Sequence, residues 1–257
     1  MITPLQDITL TMIVRDELMN PAGGLLPMLE YHLPYFDHAV VLDTGSVDGT
    51  RELLEHLAGE YPQLRVYDAK FEGYGYARMK ANEHVQTEYT LMLDADERIE
   101  ELEQLMGALK KIQRGGYIGK ESISFRFFNI LSDGFVEQGW GWNPRLALKR
   151  KVGFRSSLKW ECSLLEDTRE NLEVSTRIFH FRVADHGYKR EIWYSSLEEH
   201  IRQGTAPSRS YKSHSWKTPV PTTLRSYGID VFAVLQRLEA IGLSPNRKII
   251  EQLAKYR

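Results

Sequence analysis

Residues 91–97 read Leu91-Met92-Leu93-Asp94-Ala95-Asp96-Glu97. An apolar run leads straight into two aspartates one residue apart. On a strand, side chains at i and i+2 share a face, so Asp94 and Asp96 are expected to point the same way. The run Tyr89-Thr-Leu-Met-Leu93 has the unbroken apolar character of a strand buried on both faces, as in a parallel sheet. In open α/β sheets, ligands bind at the carboxyl ends of the strands. Two carboxylates there make a hard oxygen site suited to Mg2+ or Mn2+ carrying a phosphate. The competing reading is an acidic turn in which Asp96 caps a helix starting near Ile99.

Upstream, the same alternation repeats. Ile8-Thr-Leu-Thr-Met-Ile-Val14 is β-branched and apolar and predicts a first strand. Leu25, Leu26, Met28, Leu29 and Leu33 recur at helical spacing. Ala39-Val-Val-Leu42 predicts a second strand. It runs into Asp43-Thr-Gly-Ser-Val-Asp48-Gly49-Thr50, a turn rich in glycine and capping residues, and then a helix over 51–59. Leu64-Arg-Val-Tyr67 predicts a third strand, 76–86 a helix and 102–112 another. Strand and helix alternate as in a doubly wound α/β protein, so the expected fold is a Rossmann-like, mostly parallel sheet flanked by helices.

After Gly115-Gly116 the pattern changes. Ile123-Ser-Phe-Arg-Phe-Phe128, Arg145-Leu-Ala-Leu-Lys149 and Thr176-Arg-Ile-Phe179 read as strands of a mixed extension of the sheet. From about Asp185 the chain looks helical and basic, with a loop expected over 203–222. A helix is predicted from Asp230 to Ala240 and a last one after Ser244-Pro245. The expected division is residues 1–184 as one α/β domain and 185–257 as a basic, mainly helical C-terminal extension.

Composition bounds the function. The chain has 257 residues, 42% hydrophobic and 26% charged, which is ordinary for a globular protein. No apolar run approaches the roughly 20 residues of a membrane helix, and the N-terminus lacks the order of a secretory signal. Peripheral membrane contact stays open. The single cysteine, Cys162, excludes an internal disulfide and fits a reducing, cytoplasmic compartment. The net charge of −2 hides an asymmetry: −11 over residues 1–138 and +7 over 139–226. An acidic half suits a metal, and a basic segment suits an anionic partner.

Four motifs stand in order: Val14-Arg-Asp-Glu17, Leu42-Asp-Thr-Gly-Ser-Val-Asp-Gly-Thr50, Gly75-Tyr-Ala-Arg78 through Asn82, and Asp94-Ala-Asp96. Together they resemble the family 2 glycosyltransferases, which have the GT-A fold, over about residues 8–182. The pattern is most similar to a short bacterial subgroup like the lipopolysaccharide-core glucosyltransferases. The resemblance implies an inverting, metal-dependent transfer of a sugar from a nucleotide sugar, a UDP-sugar, to an acceptor hydroxyl.

It also implies residue roles. Asp43 would hydrogen-bond the nucleobase, with Asp48 shaping its loop. Arg15 and Glu17 would meet uracil and ribose. Arg78 would pair with phosphate or with an acid of the metal site; the family usually has Ala-Arg-Asn there, so Met79 is a departure. Asp96 would ligate Mn2+ or Mg2+, Asp94 would contact ribose or a metal-bound water, and Glu97 would stand behind them. Trp140 or Trp142 would line the acceptor site. Glu161 would be the general base, although Trp160 replaces the histidine of the subgroup's His-Glu motif. Glu137, Glu166 and Asp167 are the alternatives. His180 would lie near metal and diphosphate, and His186, Lys189 and Arg190 would contact diphosphate or an anionic acceptor.

The acceptor is a glycan, a lipid-linked sugar or another hydroxyl, with a hydroxymethylated base in nucleic acid as a minority reading carried by 209–216. Two alternatives come from other classes. One is a sugar-phosphate nucleotidyltransferase, for which Gly23-Gly24 is a poor glycine-rich loop. The other is a non-catalytic nucleotide-sugar-binding protein.

Overall fold

β1 (Leu5–Val14) is the hub of the sheet, because its alternate faces are both apolar or lined with threonine. Leu10 and Met12 point into one layer, and Thr9 and Thr11 are buried on the other. The threonine hydroxyls are satisfied: Thr9 Oγ1 meets Thr87 Oγ1 at 2.7 Å, and Thr11 Oγ1 donates to Leu91 O at 3.3 Å. A strand buried on both sides needs strands on both edges. β2 (Phe36–Asp43) and β4 (Tyr89–Met92) supply them, both parallel to β1. β3 (Leu64–Asp68) continues the parallel half beyond β2.

The computed structural model describes residues 5–20, 24–111, 122–154, 163–165, 171–182, 199, 203, 219–245 and 247–257. Three helices cross between the parallel strands: α1 (Leu25–His32), α2 (Thr50–Glu60) and α3 (Tyr74–Glu83). A short strand β5 (Glu97–Ile99) and α4 (Leu102–Lys111) follow. The sheet then extends through β6 (Ser122–Ile130), β7 (Val136–Leu148) and β10 (Asn171–Phe181), with β8 (Val152–Phe154) and β9 (Ser163–Leu165) forming a separate hairpin pair. The eight-stranded order is β3-β2-β1-β4-β7-β6-β10-β5. β7 runs antiparallel to both β4 and β6, β10 runs parallel to β6, and β5 closes the edge antiparallel to β10. The α/β expectation of a parallel half with a mixed extension describes this sheet.

Three details differ from the sequence reading. β4 stops at Met92, so Asp94 and Asp96 lie in the turn that follows it rather than on a strand. Residues 97–99 form β5 instead of a helix start, so Asp96 caps no helix there; α4 begins at Leu102. The expected loop over 203–222 ends in a helix, α5 (Pro221–Ser226), opened by proline in its first turn.

α6 (Val231–Ala240) is capped by Asp230, which accepts from the backbone N–H of Phe232 and Ala233 at 3.0 and 3.3 Å. With α7 (Arg247–Ala254) these helices bury Leu224, Ile229, Val231, Ile249 and Leu253 against Met28, Ile130, Phe179 and Phe181. Each such side chain contributes roughly 1.5–3 kcal/mol by leaving water. The C-terminal helices therefore sit on the same sheet that carries His180. Among the described residues no helix is long and apolar enough to cross a membrane.

Candidate active site

Two loops at the carboxyl rim of the parallel strands are braided together. Asp43 ends β2, level with Val14 at the end of β1. Its Oδ1 accepts from the backbone N–H of Gly45 and Ser46 at 2.7 and 2.8 Å, an Asx turn. Gly45 has φ +98°, a conformation in which only glycine is unstrained. Asp48 ties the second half: its Oδ1 accepts from Thr50 N at 3.0 Å and Thr50 Oγ1 at 2.6 Å, and its Oδ2 from Leu18 N at 3.0 Å. Asp16, in the left-handed region at φ 51°, accepts from Val47 N at 2.8 Å. Arg15 is buried beneath this turn and donates from Nη1 to Thr44 O at 3.1 Å. Glu17 is buried beside it, its backbone N–H donated to Thr50 Oγ1 at 2.8 Å. Among the described residues, Asp43 Oδ2 is buried with no hydrogen-bond partner. A buried carboxylate oxygen left without a partner costs stability.

Two strands along the rim stands an acidic cluster threaded by arginines. Arg78, on α3 and 2% exposed, donates from Nη2 to Asp94 Oδ1 and from Nη1 to Leu93 O at 3.1 Å. Arg145 on β7 donates to Glu97 Oε1 and lies 3.6 Å from Asp94 Oδ2. Glu97 is 1% exposed and accepts the Asp94 N–H through Oε2 at 2.9 Å. Burial opposes ionisation of both acids, but they resolve it oppositely. At Asp94 the two guanidiniums outweigh burial and hold the carboxyl far below its ordinary range. At Glu97 burial dominates over Arg145, the Asp94 charge adds to it, and the carboxyl is pushed well up. Charge is thus concentrated on Asp94, with Glu97 as a buried brace.

Asp96 faces the other way. Its Oδ2 lies 3.3 Å from His180 Nε2. The pairing of β10 with β5 sets this contact, because His180 is in register with Glu97 and Phe181 N donates to Asp96 O at 2.9 Å. His180 Nδ1 meets Asn129 Oδ1 at 3.0 Å. Carboxylate oxygen and imidazole nitrogen are both ligand types that divalent cations accept. Among the described residues, no three His, Cys, Asp or Glu side chains cluster closely enough to cage a metal alone.

The structure brings Asp43, Asp48, Arg15 and Glu17 into one loop assembly and Asp94, Asp96, Arg78 and His180 into another, both at the same sheet edge. The shared strand face inferred for Asp94 and Asp96 is absent: Asp94 is turned to Arg78 and Arg145, Asp96 to His180. Glu137, an alternative base, has Oε2 engaged by Arg182 at 3.2 Å and by Asn129 at 3.1 Å. Trp142 stands on β7, paired in register with Arg126. Glu161, Glu166, Asp167, His186, Lys189 and Arg190 lie outside the described residues. Sequence reading missed Arg145 and Asn129 as site residues. The available signal was a lone polar residue in each apolar strand, Arg145-Leu-Ala-Leu148 and Phe127-Phe-Asn-Ile130.

Residues 29–130 match the family model of glycosyl transferase family 2. This segment is similar to a glycosyltransferase domain. The matched segment runs from α1 to the end of β6 and contains Asp43, Asp48, Arg78, Asp94 and Asp96. Solved structures agree on the fold. S. aureus TarS 1–349 in complex with UDP-GlcNAc is 13% identical, with a TM-score of 0.51 over 81% of this chain and 69% of that one. A mycobacterial protein is 16% identical, with a TM-score of 0.50 over 82% of each chain. The chain spans 60% of another TarS 1–349 structure and 36% of a longer TarS chain. The mixed sheet with its flanking helices is the GT-A glycosyltransferase architecture.

Proposed function

We propose that the chain transfers a sugar from a UDP-sugar to an acceptor hydroxyl with inversion, using a divalent cation held by Asp96 and His180. The observation that carries this reading is the Asp96–His180 pair at the carboxyl rim, 3.3 Å apart. The donor set fits the ion: one hard oxygen and one imidazole nitrogen suit Mn2+, and Mg2+ less well, with phosphate oxygens and water completing the shell. When bound, the cation neutralises the charge of the departing diphosphate.

Asp43 supports the nucleotide part. Its orphaned Oδ2 sits at the carboxyl end of β2, two strands from β4, whose end leads into the acidic turn. It is an acceptor for a ring N–H such as that of uracil. Arg15 and Glu17 hold the loop that frames the base, and Asp48 fixes its shape. Arg78 and Arg145 orient Asp94 and keep it charged beside the ribose and phosphates. TarS, which shares the fold, was solved with UDP-GlcNAc, a donor of the class proposed.

Inversion needs a base on the acceptor side. We assign it to Glu161, with Trp142 lining the acceptor subsite and Lys189 meeting the diphosphate or an anionic acceptor. The +7 charge of residues 139–226 favours an anionic glycan such as a lipopolysaccharide core. The single cysteine fits work in the cytoplasm.

A screen of nucleotide sugars for diphosphate release, with Mn2+ and with EDTA, tests the reading. Slow Mn2+-dependent release of UDP from one UDP-sugar is expected. Release of pyrophosphate instead would indicate a nucleotidyltransferase, and binding without any turnover a sensor.

A further inference from the structure

Four polar side chains stand in one row across four strands. Glu137 on β7 pairs with Asn129 on β6, Asn129 with His180 on β10, and His180 with Glu97 on β5. The first three are joined by hydrogen bonds whose direction is fixed by chemistry. Glu137 Oε2 accepts from Arg182 Nη1 at 3.2 Å, and a carboxylate paired with arginine has no proton to give. Asn129 therefore turns its amide NH2 to Glu137, at 3.1 Å. Its carbonyl oxygen is left facing His180 Nδ1, at 3.0 Å. That oxygen can only accept, so Nδ1 carries the ring proton. The lone pair of a neutral imidazole then falls on Nε2, which is the atom facing Asp96 Oδ2. A lone pair opposed to a carboxylate at 3.3 Å is repulsive unless a metal ion, or a second ring proton on Nε2, joins them.

We propose that Asn129 is a positioning residue: backed by Glu137 and Arg182, it sets the tautomer and ring orientation of His180 so that Nε2 is presented as a cation ligand. This rests on the reading in which Asp96 and His180 hold the cation. Partners behind a metal-binding histidine commonly act this way, and losing one costs roughly 10–100-fold in metal affinity. Phe127 packs edge-on against the His180 ring, with centroids 6.0 Å apart, and limits its rotation. Without Asn129 the ring would stay in place and lose its tautomer bias.

Two readouts test this. The first is 15N–1H correlation of the His180 ring in metal-free protein at pH 8, assigned with His180→Gln. The proton is expected on Nδ1 in the wild type and divided between both nitrogens in Asn129→Ala. A purely structural role would not move it. Glu137→Gln, a change at a half-exposed side chain, is expected to have the same effect, since an amide there no longer dictates the orientation of Asn129. It serves if Asn129→Ala fails to fold. The second is Mn2+ affinity in the presence of UDP, expected to fall about 10–100-fold in Asn129→Ala, with metal-free UDP affinity unchanged. A proton on Nε2 in the wild type overturns the proposal. So does wild-type Mn2+ affinity in Asn129→Ala when His180→Ala has lost it. If His180→Ala itself binds Mn2+ normally, the cation reading fails and takes the positioning role with it. The tautomer measurement separates the two failures, because it needs no metal.

Discussion

His32 Nε2 accepts the backbone N–H of Ile99 at 3.2 Å, joining α1 to β5 directly behind the acidic turn. Its Nδ1 meets Met28 O at 2.7 Å and is the proton-bearing nitrogen. A neutral ring satisfies both contacts, and a protonated one would set its Nε2–H against the Ile99 N–H. His32 is 0% exposed, and burial lowers its pKa to about 4, with the Met28 carbonyl opposing and the Arg98 charge adding to the drop.

Acid should therefore destabilise the fold through this residue. Unfolded, the ring binds a proton near pH 6.5, and folded only near pH 4. Its contribution is complete above about pH 6.5 and is lost as pH falls toward 4, on the order of 3 kcal/mol in all. Urea unfolding between pH 7.5 and pH 4.5 should show this slope, and His32→Gln should flatten it. An equal slope in the variant would remove His32 as the source.

Asp43→Asn should keep the fold and weaken nucleotide binding. The amide oxygen can still close the Asx turn to Gly45 and Ser46, so the melting temperature should shift by only a few degrees. The buried Oδ2 becomes an NH2, and a hydrogen bond to a charged group is worth about 1.5–3 kcal/mol. Calorimetry with UDP should show roughly 10–100-fold weaker binding. Unchanged affinity would take Asp43 out of the base site.

Asp94→Ala should differ from Asp96→Ala in stability. Removing Asp94 leaves Arg78, almost wholly buried, without its main counter-charge. Breaking a fully buried pair costs about 3–5 kcal/mol, and because Asp94 is 34% exposed the expectation here is about 2 kcal/mol. That lowers the melting temperature by roughly 4–8 °C. Differential scanning calorimetry should find the smaller loss in Asp96→Ala.

Glu161→Gln should lower transfer by about 10²–10⁴-fold while UDP affinity stays the same. Steady-state turnover alongside calorimetry checks both halves. Wild-type turnover would move the base elsewhere.

The parallel half of the fold was legible because each buried strand is an unbroken apolar run closed by a turn signal. Ile8–Val14 and Ala39–Leu42 are examples. β5 was illegible for the opposite reason: Glu97-Arg98-Ile99 is short and charged, and only its pairing with β10 makes it a strand. The first half of β7 hid behind Gly139, Gly141 and Pro144. Pro144 is tolerated because it lies at a break in register opposite Ser124. The acidic turn could be located from sequence, but its internal division could not. What turns Asp94 toward arginines and Asp96 toward histidine comes from Arg145 and His180, on strands about 50 and 80 residues further along the chain. No local pattern carries that information.

Whether Asp96 and His180 hold the cation that carries the diphosphate can be measured by calorimetry of UDP with the wild type, Asp96→Ala and His180→Ala, each in Mn2+ and in EDTA. UDP should bind more tightly in Mn2+ to the wild type, and Mn2+ should have no effect in either variant. An undiminished Mn2+ effect in Asp96→Ala would contradict that assignment.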